Sequence, residues 1–163
     1  LKASYYTNTD FQGTPAYTQI DPAIDFNWGE GAPKGLDKDK FSIRWEGFLT
    51  VDETNLYTLG AHADDKLSIY IDGKVVVDMR NGTRNAIFVE KGEVYLEKGK
   101  TYAIKAEYIE NGGKAFAQMG WDANNPFLQP ALEQAKAADA LIVAVGMYDD
   151  ENGDRAILEL DPM

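Results

Sequence analysis

The sequence predicts a mainly β protein, an antiparallel sandwich or barrel with a short helix and strand at its C-terminal end. Three observations support this fold class. Between residues 2 and 121, short runs of alternating apolar and polar residues recur roughly every ten residues, with turn residues between them. After residue 121 the pattern changes to good helix formers and then to an apolar run. The composition, 44% hydrophobic with 15 Gly and 6 Pro in 163 residues, is that of a packed globular chain.

The clearest strand is predicted over residues 41–51. Its odd positions are Phe, Ile, Trp, Gly, Leu and Val, whereas its even positions are mostly polar, so one face should meet a core and the other water. Farther along, Leu67, Ile69 and Ile71 alternate with polar residues, and a β-branched run follows Asp72-Gly73. Because Asp-Gly suits the positive φ angles of a two-residue primed turn, we expect these two runs to form a hairpin.

Four more strands are predicted over residues 56–62, 93–97, 102–108 and 114–121. We expect Trp45 and Trp121 to lie in the core, because both stand at apolar positions of their strands. In contrast, residues 8–39 are rich in Gly, Pro, Asp and Asn and show no period. That stretch predicts long loops with no more than one short strand.

The C-terminal part has a different pattern. Residues 130–138 begin with Pro130 and continue with helix formers, which predicts a helix. Residues 140–146 are apolar on both faces, as in a central strand of a parallel sheet, and such a strand needs neighbours on both edges. Too little chain follows to supply them. We therefore expect one domain over residues 1–127 and a partial α/β domain over residues 128–163. A start without Met fits either a mature, processed chain or a chain cut from a longer protein.

The charge distribution excludes several classes of partner. The chain has 16 Lys and Arg against 27 Asp and Glu, a formal charge of −11, so its field repels nucleic acid and anionic lipid. No apolar run is long enough to span a membrane. With no Cys and with His62 as the only His, thiolate metal sites, His clusters and Ser-His-Asp triads are excluded. From the negative charge of the chain, we expect its ligand to be neutral or cationic.

Motifs spread over the β region carry a family resemblance. In order along the chain they are Ala3-Ser4-Tyr5-Tyr6, Arg44-Trp45-Glu46-Gly47, Tyr57-Thr58-Leu59-Gly60, Asp64-Asp65-Lys66-Leu67-Ser68-Ile69-Tyr70-Ile71-Asp72-Gly73 and Gly120-Trp121. Together they resemble the protective-antigen fourteen domain over about residues 1–127. The resemblance implies a β-sandwich or barrel that recognises carbohydrate.

The C-terminal residues resemble a second family. Residues 135–146, which end in Val-Gly, precede Glu151-Asn152-Gly153-Asp154-Arg155 and Leu158-Glu159-Leu160. This order is similar to the α/β sandwich domain of glycoside hydrolase family 3, although Gly153 stands one place late and Asp161 precedes Pro162. The resemblance implies that Glu151 is the acid/base glutamate of a retaining enzyme, while an aspartate nucleophile belongs to another domain. This chain alone is therefore expected to be inactive. Without the rest of its sheet, the loop around Glu151 is expected to form a disordered acidic tail.

The two resemblances together imply an inserted domain of a bacterial β-glucosidase or β-xylosidase, periplasmic or secreted, that selects substrates beside the active site. Its expected partners are an oligosaccharide or β-glycoside and the other domains of the enzyme, with no cofactor. Two alternatives stay open. One is a Ca²⁺-dependent, adhesin-like lectin module, and the other is a structural insert that shapes the pocket without binding sugar itself.

Six residues are candidates for sugar contact. In adhesin members the pair equivalent to Asp64 and Asp65, joined by a cis peptide, holds a Ca²⁺ ion that binds sugar hydroxyls. The plainer interpretation is a turn whose carboxylates accept backbone amides. We expect no metal, because the glycosidase-inserted members generally keep the pair without one. Trp28 stands in a Gly- and Pro-rich stretch where it could stack on a sugar ring, as the indole face allows.

The other three candidates are basic or ionisable. His62 precedes the acidic pair by two residues and could donate to a hydroxyl. Arg80 and Arg84, with the nearby Asn81 and Asn85, follow the predicted hairpin and could also reach a sugar. A solvated loop is the alternative interpretation for these residues.

Overall fold

A computed structural model describes residues 1–79, 88–123 and 128–138 of the chain, which divides into two compact units, Leu1–Asn125 and Pro126–Met163. The described residues of the first unit form ten strands: β1 Lys2–Tyr6, β2 Tyr17–Ile20, β3 Asp25–Gly29, β4 Phe41–Thr50, β5 Asn55–Asp64, β6 Lys66–Ile71, β7 Lys74–Asp78, β8 Phe88–Leu96, β9 Thr101–Glu110 and β10 Ala115–Asp122. The helix α1, Leu128–Ala137, belongs to the second unit.

The ten strands form two antiparallel sheets. A six-stranded sheet has the order β2-β1-β4-β9-β6-β7, and a four-stranded sheet has the order β3-β10-β5-β8. Every strand pair in both sheets is antiparallel. The predicted mainly β, antiparallel sandwich is therefore confirmed.

The centre of the six-stranded sheet is the long pair β4 and β9. It runs in unbroken register from Phe41 opposite Glu110 to Thr50 opposite Thr101. Along β4, Phe41, Ile43 and Trp45 point inward and are fully buried, which confirms the apolar face predicted for this strand.

The core consists of the inward-facing side chains of both sheets, as alternation along a strand requires. Its largest members come from four strands of the six-stranded sheet and two of the other: Tyr5, Phe41, Trp45, Leu67, Ile69, Tyr108, Leu59 and Leu96. Since burying each such side chain contributes about 2 kcal/mol, this shared layer is what holds the two sheets together.

The predicted hairpin is also confirmed. Asp72 and Gly73 connect β6 to β7 with φ angles of 48° and 77°, the left-handed pair that a primed turn requires. The Asp72 carboxylate in addition accepts a hydrogen bond of 2.8 Å from the backbone N–H of Ala103. This bond ties the turn to the neighbouring strand β9.

Two sequence predictions about aromatic residues and loops were wrong. Residues 8–39 contain two strands, β2 and β3, and Trp28 lies in β3. Both are short strands at sheet edges and neither contains a fully buried residue, so their residues need no strict apolar alternation. Trp121, expected in the core, is 50% exposed and stacks on Tyr57 with ring centroids 5.5 Å apart. It stands at the end of β10, where the sandwich no longer covers the strand fully.

The predicted C-terminal helix is confirmed as α1, which begins at Leu128, two residues before the predicted start at Pro130. The predicted strand over residues 140–146 and the candidates Glu151, Arg80 and Arg84 lie outside the described residues. The assignment of residues 128–163 to a partial α/β domain stays a prediction. In the part of the chain that the structure describes, no helix has the length and apolar character needed to cross a membrane.

Candidate functional site

The acidic pair lies where the chain passes from one sheet to the other. Asp64 ends β5 of the four-stranded sheet, and Lys66 begins β6 of the six-stranded sheet. The peptide bond between Asp64 and Asp65 is cis. We call the residues that meet here, Asp64, Asp65, Tyr108, Glu110 and Asn111, the acidic junction.

Hydrogen bonds tie the acidic junction to the end of β9. The Tyr108 hydroxyl donates to the backbone carbonyl oxygen of Asp64, and the backbone N–H of Asn111 donates to Oδ2 of Asp65 at 2.6 Å. Burial, and then the neighbouring charge of Asp65, raise the pKa of Asp64, while Lys114 opposes the shift. The two aspartates therefore lie next to each other at one end of the sandwich, both partly buried, and one of these hydrogen bonds holds the Asp65 carboxylate.

Glu110 lies beneath the acidic pair, and its side chain is fully buried. Its Oε2 is 2.7 Å from the Tyr108 hydroxyl oxygen, whereas its Oε1 has no hydrogen-bond partner among the described residues. Burial raises the pKa of Glu110 to about 7; the Tyr108 hydrogen bond opposes this, and the charges of Asp65 and Asp64 add to it. The single Tyr108 hydroxyl proton can go either to Oε2 of an ionised Glu110 or to the Asp64 carbonyl oxygen, and when it goes to Asp64 a protonated Glu110 can donate to the Tyr108 oxygen.

The buried Glu110 gives a prediction about pH. Its pKa in the folded chain, about 7, is higher than the ordinary value of 4.5. The unfolded chain therefore loses this proton first, and the native state loses relative stability between about pH 4.5 and pH 7. We expect the unfolding free energy of the wild type, minus that of Glu110→Gln, to fall by up to about 3 kcal/mol over this range.

Urea denaturation at pH 4, 5, 6, 7 and 8 measures the difference, and the amide serves as a matched side chain that does not titrate. Above about pH 7 the difference should be constant. A difference independent of pH across the whole series would show that Glu110 is ionised in the folded chain.

The other sequence candidates are placed differently. His62 lies two residues before Asp64 on β5 and faces the outside of the four-stranded sheet, with Nδ1 3.0 Å from Oε1 of Gln118. Trp28 is half-buried, stacks on Phe26 and packs against Tyr108 with ring centroids 5.9 Å apart. It thus supports the inner side of the acidic junction. Contact of His62 or Trp28 with a sugar stays a prediction.

The sequence analysis missed Glu110, although a signal was present. Glu110 continues the inward-facing series of Ala106 and Tyr108 along β9, so strict alternation places an acid in the core. A charged residue at such a position is seldom buried without a specific reason.

The junction supplies part of what a calcium ion needs. Ca²⁺ takes about six to eight oxygen ligands. Asp64 and Asp65 offer carboxylate oxygens, but one oxygen of Asp65 already accepts the Asn111 amide. Within residues 1–79, 88–123 and 128–138, no cluster of three or more His, Asp or Glu side chains could hold a metal ion.

Comparison with curated proteins identifies two classes of relative. Anti-sigma-I factor RsgI3 of Acetivibrio thermocellus is 35% identical over 126 residues, which covers 77% of this chain and 19% of that protein. Probable beta-glucosidase I of Aspergillus clavatus is 28% identical over 145 residues and covers 74% of this chain and 17% of that protein. The chain therefore spans less than a fifth of the length of these relatives.

Solved structures agree with the fold. An anti-sigma factor domain-containing protein from Clostridium clariflavum has a TM-score of 0.68 at 32% identity, covering 76% of this chain and 42% of that one. A PA14 sugar-binding domain from an RTX adhesin has a TM-score of 0.62 at 16% identity, covering 74% and 88%. The PA14 domain family model matches residues 1–126. From the first strand to the end of the sandwich, the chain belongs to the PA14 domain family.

Proposed function

We propose that residues 1–127 are the carbohydrate-contacting, substrate-selecting domain of a β-glucosidase or β-xylosidase type exo-glycosidase. The observation that carries this proposal is the acidic junction, in which two adjacent aspartates lie at one end of a PA14 domain and the backbone of Asn111 holds the Asp65 carboxylate. Ionised carboxylates are acceptors for sugar hydroxyls, and hydrogen bonds to a charged group are stronger than neutral ones.

Binding by the isolated domain should be weak. The junction offers a few hydrogen bonds to hydroxyls that water also satisfies, and association costs several kcal/mol in lost freedom of motion. Asp64 and Asp65 would accept hydrogen bonds from the sugar, Arg80 and Arg84 would donate to it, and His62 would be a further contact. The remaining surface of the pocket would come from other domains of the enzyme.

The proposed parent enzyme is a retaining glycosidase exported by a bacterium. Support comes from the match to probable beta-glucosidase I and from the family 3 motifs around Glu151. In such an enzyme Glu151 would be the acid/base and an aspartate of another domain the nucleophile. The identity to RsgI3 supports a different parent, an anti-sigma factor. If a glycoside hydrolase family 3 barrel is encoded upstream in the same reading frame, the parent protein is the glycosidase.

The test compares the isolated chain with the intact enzyme. Titration of cello- and xylo-oligosaccharides into the chain should give no dissociation constant tighter than about millimolar, or about −4 kcal/mol. Deleting residues 1–127 from the enzyme should change the ratio of kcat/KM between short and long substrates, and Asp65→Ala should change it in the same direction. The Asp52→Ala variant, at an exposed position, is the matched control.

Two other outcomes would contradict the proposed function. A low-micromolar constant for the isolated chain would make it an autonomous carbohydrate-binding module. A ratio altered by the deletion but not by Asp65→Ala would make the domain a structural insert.

The second candidate function is a Ca²⁺-dependent lectin module. The adjacent carboxyl groups of Asp64 and Asp65 and the fold shared with a sugar-binding adhesin domain favour it. Our prediction is that Ca²⁺ leaves the melting midpoint unchanged, because among the described residues the pair belongs to no cluster of three or more acidic or His side chains that could hold a metal ion. A site with Kd near 10⁻⁵ M would instead add about 2.7 kcal/mol at millimolar Ca²⁺. A midpoint that falls on chelation, and no longer does so in Asp65→Ala, would establish the lectin module.

A further inference from the structure

A groove crosses the outer face of the four-stranded sheet, on the side away from the core. Its volume is about 480 Å³, within the range of small-ligand sites. Gly60 of β5 and Gly120 of β10 lie directly opposite each other on its floor. Val89 lines one side and Ile24 the other.

The two glycines create the groove. Both are at outward-facing strand positions where neighbouring residues carry side chains, and neither has a positive φ angle. A Cβ built on Gly120 meets nothing within 4 Å, and one built on Gly60 meets only ordinary contacts at 3.9 Å. Since neither backbone conformation nor crowding requires glycine here, the missing side chains leave open surface for a ligand.

A row of polar side chains borders the groove. The strand register places Asp25, Gln118 and His62 side by side across β3, β10 and β5. The Gln118 amide donates to Oδ1 of Asp25 at 2.8 Å, so its own oxygen accepts from Nδ1 of His62 at 3.0 Å. This arrangement places the His62 proton on Nδ1 and leaves Nε2 as an acceptor.

Hydrogen bonds hold the three side chains of the row in place, and two of their polar atoms remain available to a ligand. Within the described part of the chain, no hydrogen bond engages Nε2 of His62 or Oδ2 of Asp25. The row thus presents hydrogen-bonding groups beside an apolar floor. A pyranose ring has the same two kinds of surface, namely hydroxyl groups around its edge and an apolar C–H face. The C–H face can pack against the floor and Val89, and the hydroxyls can donate to Asp25 and His62. Asp25 disfavours an anionic sugar.

We propose that this groove binds a neutral pyranose residue, as a sugar subsite separate from the acidic junction. The choice of ligand class rests on the proposed function. Two residues along a strand span about 7 Å, so His62 and Asp64, which share the outer face of β5, are within reach of one oligosaccharide. The groove and the junction would then bind successive sugars of one chain.

The experiment follows backbone amide chemical shifts of the full 163-residue chain during titration with cellobiose, with sorbitol as a non-cyclic polyol control. We expect shift changes at Gly60, His62, Gln118 and Gly120 that persist in Asp65→Ala. Gly120→Val fills the groove without backbone strain and should reduce these changes at least fivefold. The matched control Thr58→Val, on the outer face of β5 but not lining the groove, should leave them intact.

The outcomes separate this inference from the proposed function. Changes confined to Asp64, Asp65 and Asn111 would overturn the groove and leave the junction as the sugar site. Groove changes that survive Gly120→Val, or that sorbitol reproduces, would also overturn it. If no groove amide responds to cellobiose or to xylobiose at concentrations well above millimolar, the groove inference is overturned, whereas the proposed function is still decided by deleting residues 1–127 from the intact enzyme.

Discussion

Replacing Gly92 by alanine is expected to destabilise the fold by about 3 kcal/mol or more. A Cβ on Gly92, in β8, would lie 1.8 Å from the backbone carbonyl oxygen of Val76 in β7. These strands belong to different sheets, so the clash is between two backbones and no side-chain rotation relieves it. The sheets would have to separate at this edge. The urea midpoint, measured by circular dichroism, reports the loss.

Gly120→Ala is the matched control for Gly92→Ala. Both glycines occupy strands of the four-stranded sheet, but a Cβ on Gly120 meets nothing within 4 Å. Alanine there should change stability by less than about 0.5 kcal/mol, as for an unconstrained surface site. If the two variants have equal stability, the edges of β7 and β8 are not in backbone contact in solution.

The second large effect is expected at Asp21. This carboxylate is 3% exposed and accepts hydrogen bonds from the Tyr5 hydroxyl at 2.7 Å and from Nε1 of Trp45 at 2.8 Å. Burial, followed by the hydrogen bond to Asp21, raises the pKa of Tyr5. Asp21→Ala would leave two buried donors unpaired, so we expect a loss of about 4 kcal/mol by chemical denaturation.

Two companion variants separate the hydrogen bonds from side-chain volume and charge. Asp21→Asn keeps one acceptor oxygen and should lose about half as much as Asp21→Ala. Asp52→Ala removes an exposed carboxylate and should cost almost nothing. An Asp21→Ala variant as stable as Asp52→Ala would mean that water replaces the lost acceptor.

The strands with one buried and one wet face could be predicted from sequence, because side-chain alternation is itself the result of that burial. This holds for β4. The β6-β7 hairpin could be predicted mainly from Asp72-Gly73, which identifies the turn type, because five of the six residues of β6 are buried and neither face of that strand is open to water. The strands β2 and β3 could not be predicted in this way, since exposed edge strands place few demands on their residues. Trp121 was misplaced for a related reason. Alternation indicates on which face of its strand a residue lies, but it does not indicate where along the strand the opposite sheet ends.

Only part of the candidate site could be predicted from the sequence. Asp64 and Asp65 are adjacent in sequence and were identified directly. Glu110 and Asn111 join them only because β6 pairs with β9, which brings the end of β9 beside the start of β6. The row of Asp25, Gln118 and His62 likewise depends on the register of three strands that are distant in sequence. Contacts of this kind are set by sheet topology, which local patterns do not encode.

The ladder between β4 and β9 has a consequence for how the chain folds. It joins residues 41–50 to residues 101–110, so Arg44 meets Glu107 across 63 positions of sequence. Closing so large a loop costs conformational entropy before the contacts within it offset that cost. On a ribosome, the middle of the six-stranded sheet cannot form until residue 110 has emerged, because β4 and β6 lack their shared partner β9 until then. Refolding of the whole domain should accordingly take milliseconds to seconds, at the slow end for a chain of this size.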